Sequence, residues 1–298
     1  MIASEELTFP RRDPVGPDAS SALQPEQVSL LADLLAPSAA HVDAHGVRRE
    51  TLDVLADNGL LGSPLKPAGR QRELGELMAG CDASTWFCWV QHQAPLRILE
   101  TSMPGPQTPG LASLREQLLP GLESGSTLAA VAHAHVRRPG PPNPTATRVR
   151  AGWQLDGTLD WVTSWDIADV VMVAAQGSGA DADSLVCAYL PAGASADTIP
   201  GVTVGAPLDL LAMSGTHTRP VSFSAAVVPV ERVGAVLNRR EWLARDAVTS
   251  SDASPAAFGV ARAAIAELDG LAEQRSDTSL ADLAGALAGS LGIAPTAN

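Results

Sequence analysis

Two indole rings and two hydroxyls fall within five residues at Trp161-Val162-Thr163-Ser164-Trp165. Indoles are large, flat and costly to leave in water. Paired with Thr and Ser they describe a wall for a flat polar ligand, with Trp165 extending toward a substrate pocket. Two indoles buried in a sheet core would show the same spacing. His133 and His135 straddle Ala134, and strand alternation puts both imidazoles on one face. That pair either lines a pocket or is held by hydrogen bonds. A metal is disfavoured, because His92 and His217 are remote in sequence and no third ligand is evident. His92, in Trp89-Val90-Gln91-His92-Gln93, lies on a helix between a pocket role and a buried polar anchor. His217 and the Arg137-Arg138 pair read as solvated turn and loop positions.

These side chains sit in an acidic chain of 298 residues. There are 20 basic and 33 acidic side chains, for a net charge of −13. That balance excludes the basic footprint a nucleic acid needs and disfavours an anionic membrane surface. Hydrophobic residues make up 45% and charged residues 18%, ordinary for a globular protein with a sizeable core. The N-terminal residues lack a basic and apolar leader, and no apolar run reaches the ~20 residues of a spanning helix. The expected location is the cytoplasm. Cys81, Cys88 and Cys187 have no metal-ligand spacing and read as reduced core thiols.

The elements that must position these residues come in three blocks, giving an α+β class rather than alternating α/β. Residues 1–22, rich in Pro, Asp and Ser, form a loose arm. Residues 23–125 read as a helical domain. Leucines recur at helical spacing from Pro25, a helix over 50–57 ends at Asn58-Gly59 in a left-handed turn, residues 71–100 continue the helical pattern, and another helix covers 111–122. Residues 126–237 change texture to short apolar runs separated by Gly, Pro and Asp, which are strands: 128–134, 152–155, 170–175, 185–190, 202–204 and 221–223. The proline-rich stretch 137–144 is a stiff loop, and 177–183 closes a hairpin. Residues 238–298 return to helix, with Ser254 and Pro255 opening an amphipathic run to Arg275 and a weaker one over 278–291. Nothing matches GxGxxG or a P-loop.

Across roughly residues 25–275 the order of short motifs resembles the acyl-CoA dehydrogenase family. The motifs are Leu55-Ala56-Asp57-Asn58-Gly59-Leu60, Gly125-Ser126-Thr127-Leu128-Ala129, Gly152-Trp153-Gln154-Leu155-Asp156-Gly157, Trp161-Val162-Thr163-Ser164, Ala168-Asp169-Val170, Pro200-Gly201-Val202 and Val227-Val228-Pro229. The resemblance implies an N-terminal helical domain, a central β-barrel domain and a C-terminal helical bundle, with FAD held between them. It further implies that Trp161 packs beside the flavin, that Thr163 bonds near its N5/O4 edge, and that Ser164 stands where the family has Asn. The family's Thr-Glu-Pro segment falls on Ala134-His135-Val136, so His133, Ala134 and His135 would face the flavin's other edge.

The chain departs from the family beyond the β region. About sixty residues remain there, enough for two helices, so the bundle is truncated. Neither the proton-abstracting Glu nor the pyrophosphate-binding Arg and Gly-rich segment can be matched, and the catalytic residues stay unassigned. The implied function is a flavin-dependent oxidoreductase that moves a hydride from an acyl thioester, such as an acyl-CoA, or a related small substrate to FAD. Two alternatives remain: a flavin-dependent monooxygenase on the same scaffold, and a degenerate subunit paired with a complete homologue. An apolar stripe of Ala256-Ala257, Val260, Ala264, Ile265 and Leu268 implies a homo-oligomer or a heteromer.

Overall fold

Seven helices, one curled sheet and three further helices follow one another along the chain in the computed structural model, which describes residues 23–62, 68–141, 143–193, 199–250 and 253–292. The arm read over 1–22 lies outside the described residues. The first helices are α1 (Pro25–Leu35), α2 (Ala39–His45), α3 (Arg49–Asp57), α4 (Ala68–Cys81), α5 (Ala83–Gln91), α6 (Gln93–Thr101) and α7 (Leu111–Ser124). Their core is an aliphatic cluster of Leu31, Leu35, Leu52, Leu55, Leu74 and Met78 around Trp89. The Trp89 indole N–H donates to the Leu60 carbonyl at 2.7 Å, so the ring is buried without stranding its polar atom. α3 ends as its composition implies, with Gly59 at φ +67°.

The pattern over 71–100 is broken twice. At Asp82 the backbone turns extended and the carboxylate accepts from the Ser84 and Thr85 amides, starting α5. At His92 the ladder steps from α5 to α6.

Eight strands make one mixed sheet in the order β6-β7-β3-β2-β4-β5-β8, with β1 parallel to β4. They are β1 (Ala129–Ala132), β2 (Thr145–Val149), β3 (Gly152–Val162), β4 (Val170–Gly177), β5 (Ser184–Pro191), β6 (Val202–Val204), β7 (Arg219–Pro229) and β8 (Val233–Asn238). One face curls around a single interior, where Trp153, Leu155, Val171, Val186, Val221 and Val228 from four strands meet. The other face of β4, β5 and β8 presents Met172, Ala174, Leu185, Cys187, Tyr189 and Ala235 to α6 and α7. Buried on both sides, β4 and β5 read as continuous apolar runs. β2 escapes sequence reading because its polar residues lie on the exposed face, whereas β8 is a short, largely buried apolar run.

Three helices follow: α8 (Arg239–Ser250), α9 (Pro255–Arg275) and α10 (Thr278–Ser290). α9 lies on α4, and of the stripe read from sequence only Ala256 is buried. Its buried residues are Ala256, Gly259 and Ala272, while Val260 is 46% exposed and Ala257 and Ala264 face outward. The contact selects for small residues because the two helix backbones approach closely, which apolar periodicity cannot reveal.

Candidate functional site

A cavity of about 860 Å³ opens between α6, α8 and the outer face of the sheet. Its floor is Met172 and Ala174 of β4, Leu185 and Cys187 of β5, and Ala235 and Leu237 of β8. α6 is fastened there by Tyr189, whose hydroxyl donates to the Pro95 carbonyl at 2.7 Å. Arg115 of α7 closes the C-terminal end of α6, donating to the Leu99 and Glu100 carbonyls at 2.7 and 2.9 Å. α8 starts where the Asn238 side chain accepts from the Arg240 and Glu241 amides. It buries no residue fully, so it carries no core signature, and only the recurrence of Trp242, Arg245, Asp246 and Thr249 marks its cavity face.

Three polar groups gather at one end. Arg137 grips Asp246 with two charge-assisted hydrogen bonds of 2.6 Å each and lies 5.6 Å from the Trp242 ring. Its charge holds the Asp246 carboxyl below the usual carboxylate range. His133 meets Trp242 edge-on at 5.8 Å, and Arg137 Nη2 lies 3.4 Å from its Nε2. Burial, with the Arg137 charge second, lowers the His133 imidazole to about 4, so it is neutral at physiological pH. Arg97 of α6 and Arg245 of α8 complete the charged lining.

The two histidines do not share a strand face. β1 ends at Ala132, and a 3-10 turn over Ala134–Arg137 follows, closed by the Val136 amide on the His133 carbonyl. That turn sends His133 into the cavity and His135 toward β4, where its Nε2 donates to the Ala174 carbonyl at 2.7 Å. Burial lowers the His135 imidazole as well. Ala134 between them is exposed.

At the end of β3 the Trp161 ring is 56% exposed, and the Arg138 guanidinium lies over it at 4.4 Å while pairing with Asp160. Thr163 and Ser164 turn inward instead. The Thr163 hydroxyl shares a hydrogen bond of 3.1 Å with Thr218. Ser164 is fully buried at φ +64°, its amide donates to the Thr216 carbonyl, and its hydroxyl has no nitrogen or oxygen partner. Trp165 belongs to the sheet interior, not to the cavity.

His92 also lies outside the cavity. It is wholly buried, donating from Nε2 to the Leu122 carbonyl at 2.9 Å and accepting at Nδ1 from the Ala129 amide at 3.1 Å. The imidazole thereby ties α6, α7 and β1 together. His217 is a tie as well rather than a solvated turn. Its Nε2 donates to the Val47 carbonyl at 2.8 Å, and Nδ1 lies 3.5 Å from Asp166, which also pairs with Arg219. Among the described residues, no group of three or more His, Cys, Asp and Glu is placed to hold a metal ion.

Sequence reasoning therefore found His133 but missed Arg137, Trp242, Asp246, Arg97 and Arg245. The Arg137-Arg138 pair read as solvated because its partners, Asp246 and Trp161, are distant along the chain. The surviving clue was helical spacing on α8.

No family model matches the sequence, and no curated protein matches it either. Solved structures do. Butyryl-CoA dehydrogenase from Megasphaera elsdenii superposes with a TM-score of 0.69 at 18% identity, covering 89% of this chain and 76% of that one. Acyl-CoA dehydrogenase from Geobacillus kaustophilus gives 0.66 at 14% identity over the same shares, 89% and 76%. A Mycobacterium smegmatis glutaryl-CoA dehydrogenase in complex with FADH2 gives 0.63 at 17% identity, covering 91% and 74%.

Proposed function

We propose that this chain, which has the acyl-CoA dehydrogenase fold, is a flavin-dependent oxidoreductase acting on an acyl thioester or related small acyl substrate, with FAD as its cofactor and the cytoplasm as its location. The observation that carries the reading is a pair of consecutive residues. Arg137 lines the cavity, and Arg138 covers the exposed face of Trp161, so one short segment joins a ligand-sized space to a stacking surface. No described helix is long and apolar enough to cross a membrane.

Trp161 fits a flavin ring. It is a large aromatic left more than half exposed on a strand whose neighbours Leu159 and Val162 are buried, and a planar group already rests on it. The reading does not rest on Thr163 and Ser164, which are buried, the Thr163 hydroxyl against Thr218 and the Ser164 amide on the Thr216 carbonyl. When bound, FAD supplies a hydride acceptor. The chain's own residues would do the rest. Trp161 holds the ring by stacking, and Arg138, swung from the indole, places a cation near the ring. The apolar floor of β4, β5 and β8 keeps water from the acyl chain, and neutral His133 offers a hydrogen bond at the cavity's polar end.

The only carboxylate among the described lining residues, Asp246, is held by Arg137. That favours, as a second reading, a subunit completed by a homologous chain. The exposed Leu283 and Leu287 of α10 offer such a chain an apolar surface.

The visible spectrum separates these. Purified protein is expected to retain a flavin absorption band through gel filtration, and Trp161→Ala to weaken flavin affinity about tenfold through lost stacking. Anaerobic bleaching by an acyl-CoA supports the dehydrogenase. A colourless protein that binds no added FAD, with Trp161→Ala indistinguishable from the parent, sinks the flavoprotein reading.

A further inference from the structure

Of the six histidines in the chain, four have a place in the fold or the cavity. His92, His135 and His217 donate to backbone carbonyls, and His133 stands in the cavity. The other two, His41 and His45, lie one turn apart on α2 and are both exposed. α2 contributes no residue to the cavity. The two rings stack with centroids 4.1 Å apart and planes 19° from parallel.

The backbone decides which nitrogen of His45 is open. Its Nδ1 lies 3.0 Å from the His41 carbonyl. A carbonyl oxygen only accepts, so Nδ1 carries the proton and Nε2 of the neutral ring keeps its lone pair. Metal-ligating imidazoles have this arrangement: the second nitrogen donates to a carbonyl that orients the ring. Among the described residues the His41 ring has no hydrogen-bond partner, so both of its nitrogens are open. Two nitrogens in adjacent positions around a transition ion, each bonded at about 2.0–2.1 Å, stand about 3 Å apart. Rings stacked at 4.1 Å reach that separation by tilting their edges together. Asp43, between them in sequence, is engaged elsewhere, accepting from the Ser84 hydroxyl at 3.0 Å. Among the described residues no third His, Cys, Asp or Glu is grouped with the pair, which leaves the rest of the coordination sphere to water.

We propose that His41 and His45 form a surface site for a divalent transition-metal ion, bound through one imidazole nitrogen of each. Imidazole suits copper, nickel and zinc, whereas magnesium and calcium require oxygen ligands. The ion clamps one turn of a seven-residue helix that has no side-chain cap at its start. The chain leaving α2 is joined to the turn that holds the end of β3. The Val47 amide donates to the Gly215 carbonyl at 2.8 Å, and the Thr216 and His217 carbonyls accept from the Ser164 and Trp165 amides at 2.9 and 3.1 Å.

Calorimetric titration of the full chain with CuCl2, NiCl2, ZnCl2 and MgCl2 in a non-chelating buffer tests the site. The parent is expected to take one Cu(II) per chain, Ni(II) and Zn(II) less tightly, and no Mg(II). His41→Gln and His45→Gln are each expected to weaken Cu(II) binding about tenfold. The electron paramagnetic resonance spectrum of bound Cu(II) is expected to show coupling to two imidazole nitrogens in the parent and to one in either variant. Both side chains are exposed, so the variants should melt like the parent in EDTA, and either variant alone suffices for the comparison. A parent that binds no transition ion overturns the proposal. So does Cu(II) affinity unchanged in both variants, or Mg(II) bound as tightly as Cu(II). The outcome is independent of the flavin and acyl-substrate readings, since none of the cavity residues takes part.

Discussion

Replacing Gly259 with leucine is expected to destabilise the protein by about 3 kcal/mol and to unfasten α9 from α4. The reason is the distance between two backbones. A Cβ at Gly259 would sit 1.9 Å from the Glu76 carbonyl oxygen and 3.0 Å from the Gly80 amide nitrogen. Neither atom is the free end of a side chain, so neither can step aside, and the helix itself has to move. Ala256, Ala272 and the Arg262–Glu76 ion pair at 2.7 Å would lose their registry with it. Alanine at this position is expected to show most of the same loss, since the clash begins at Cβ. Thermal unfolding reads the stability, and limited trypsin digestion at Arg262 and Arg275 reads the detachment. A variant that melts with the parent and resists trypsin equally would show that α9 contributes nothing to the fold.

His92→Phe is expected to cost a similar amount, about 3 kcal/mol, by a different route. Phenylalanine roughly fills the volume but leaves the Leu122 carbonyl and the Ala129 amide buried without partners, at ~1–3 kcal/mol for each unsatisfied group. The comparison variant is His133→Phe, which should lose far less, because among the described residues the His133 imidazole makes a single hydrogen-bond contact, the 3.4 Å approach of Arg137. Equal losses in urea denaturation would refute the anchor reading of His92.

The same burial gives the protein an acid-sensitive window. Desolvation by burial, the leading cause, lowers the His92 imidazole from its ordinary 6.5 to about 4. Between those values the unfolded chain binds a proton that the folded chain refuses, so stability falls as pH drops from 6.5 toward 4 and is unaffected above that range. The slope approaches ~1.4 kcal/mol per pH unit for this fully buried group. In the His92→Phe variant that portion of the slope should vanish, while the contribution of half-buried His133 remains. An unchanged pH profile would contradict the assignment.

How much of the fold was legible in the sequence depends on where each element's signal came from. α1, α3, α7, β4 and β5 announce themselves because their apolar residues repeat against one core within a few residues of chain. β2, β8 and α8 do not. β2 mixes polar and apolar positions along a short run, and α8 faces a cavity rather than a core. The C-terminal helix α9 was visible, but the face it buries was not, since backbone contact rewards the absence of a side chain.

For the candidate site the division is sharper. The sequence by itself determined the three-block α+β order, an acidic chain with no nucleic-acid footprint, and the local grouping at Trp161–Trp165, because composition and short-range spacing are properties of neighbours along the chain. Tertiary structure alone decided where each member of the group points. A β-strand ending in a left-handed residue at Ser164 turns Thr163, Ser164 and Trp165 inward and leaves Trp161 outside. A 3-10 turn at Ala134–Arg137 separates two histidines that strand alternation would have aligned. Arg137 meets Asp246, 109 residues away, to build the cavity's polar end. Charge pairing and enclosure depend on distances through space, and residue spacing carries no record of which distant segments the core brings together.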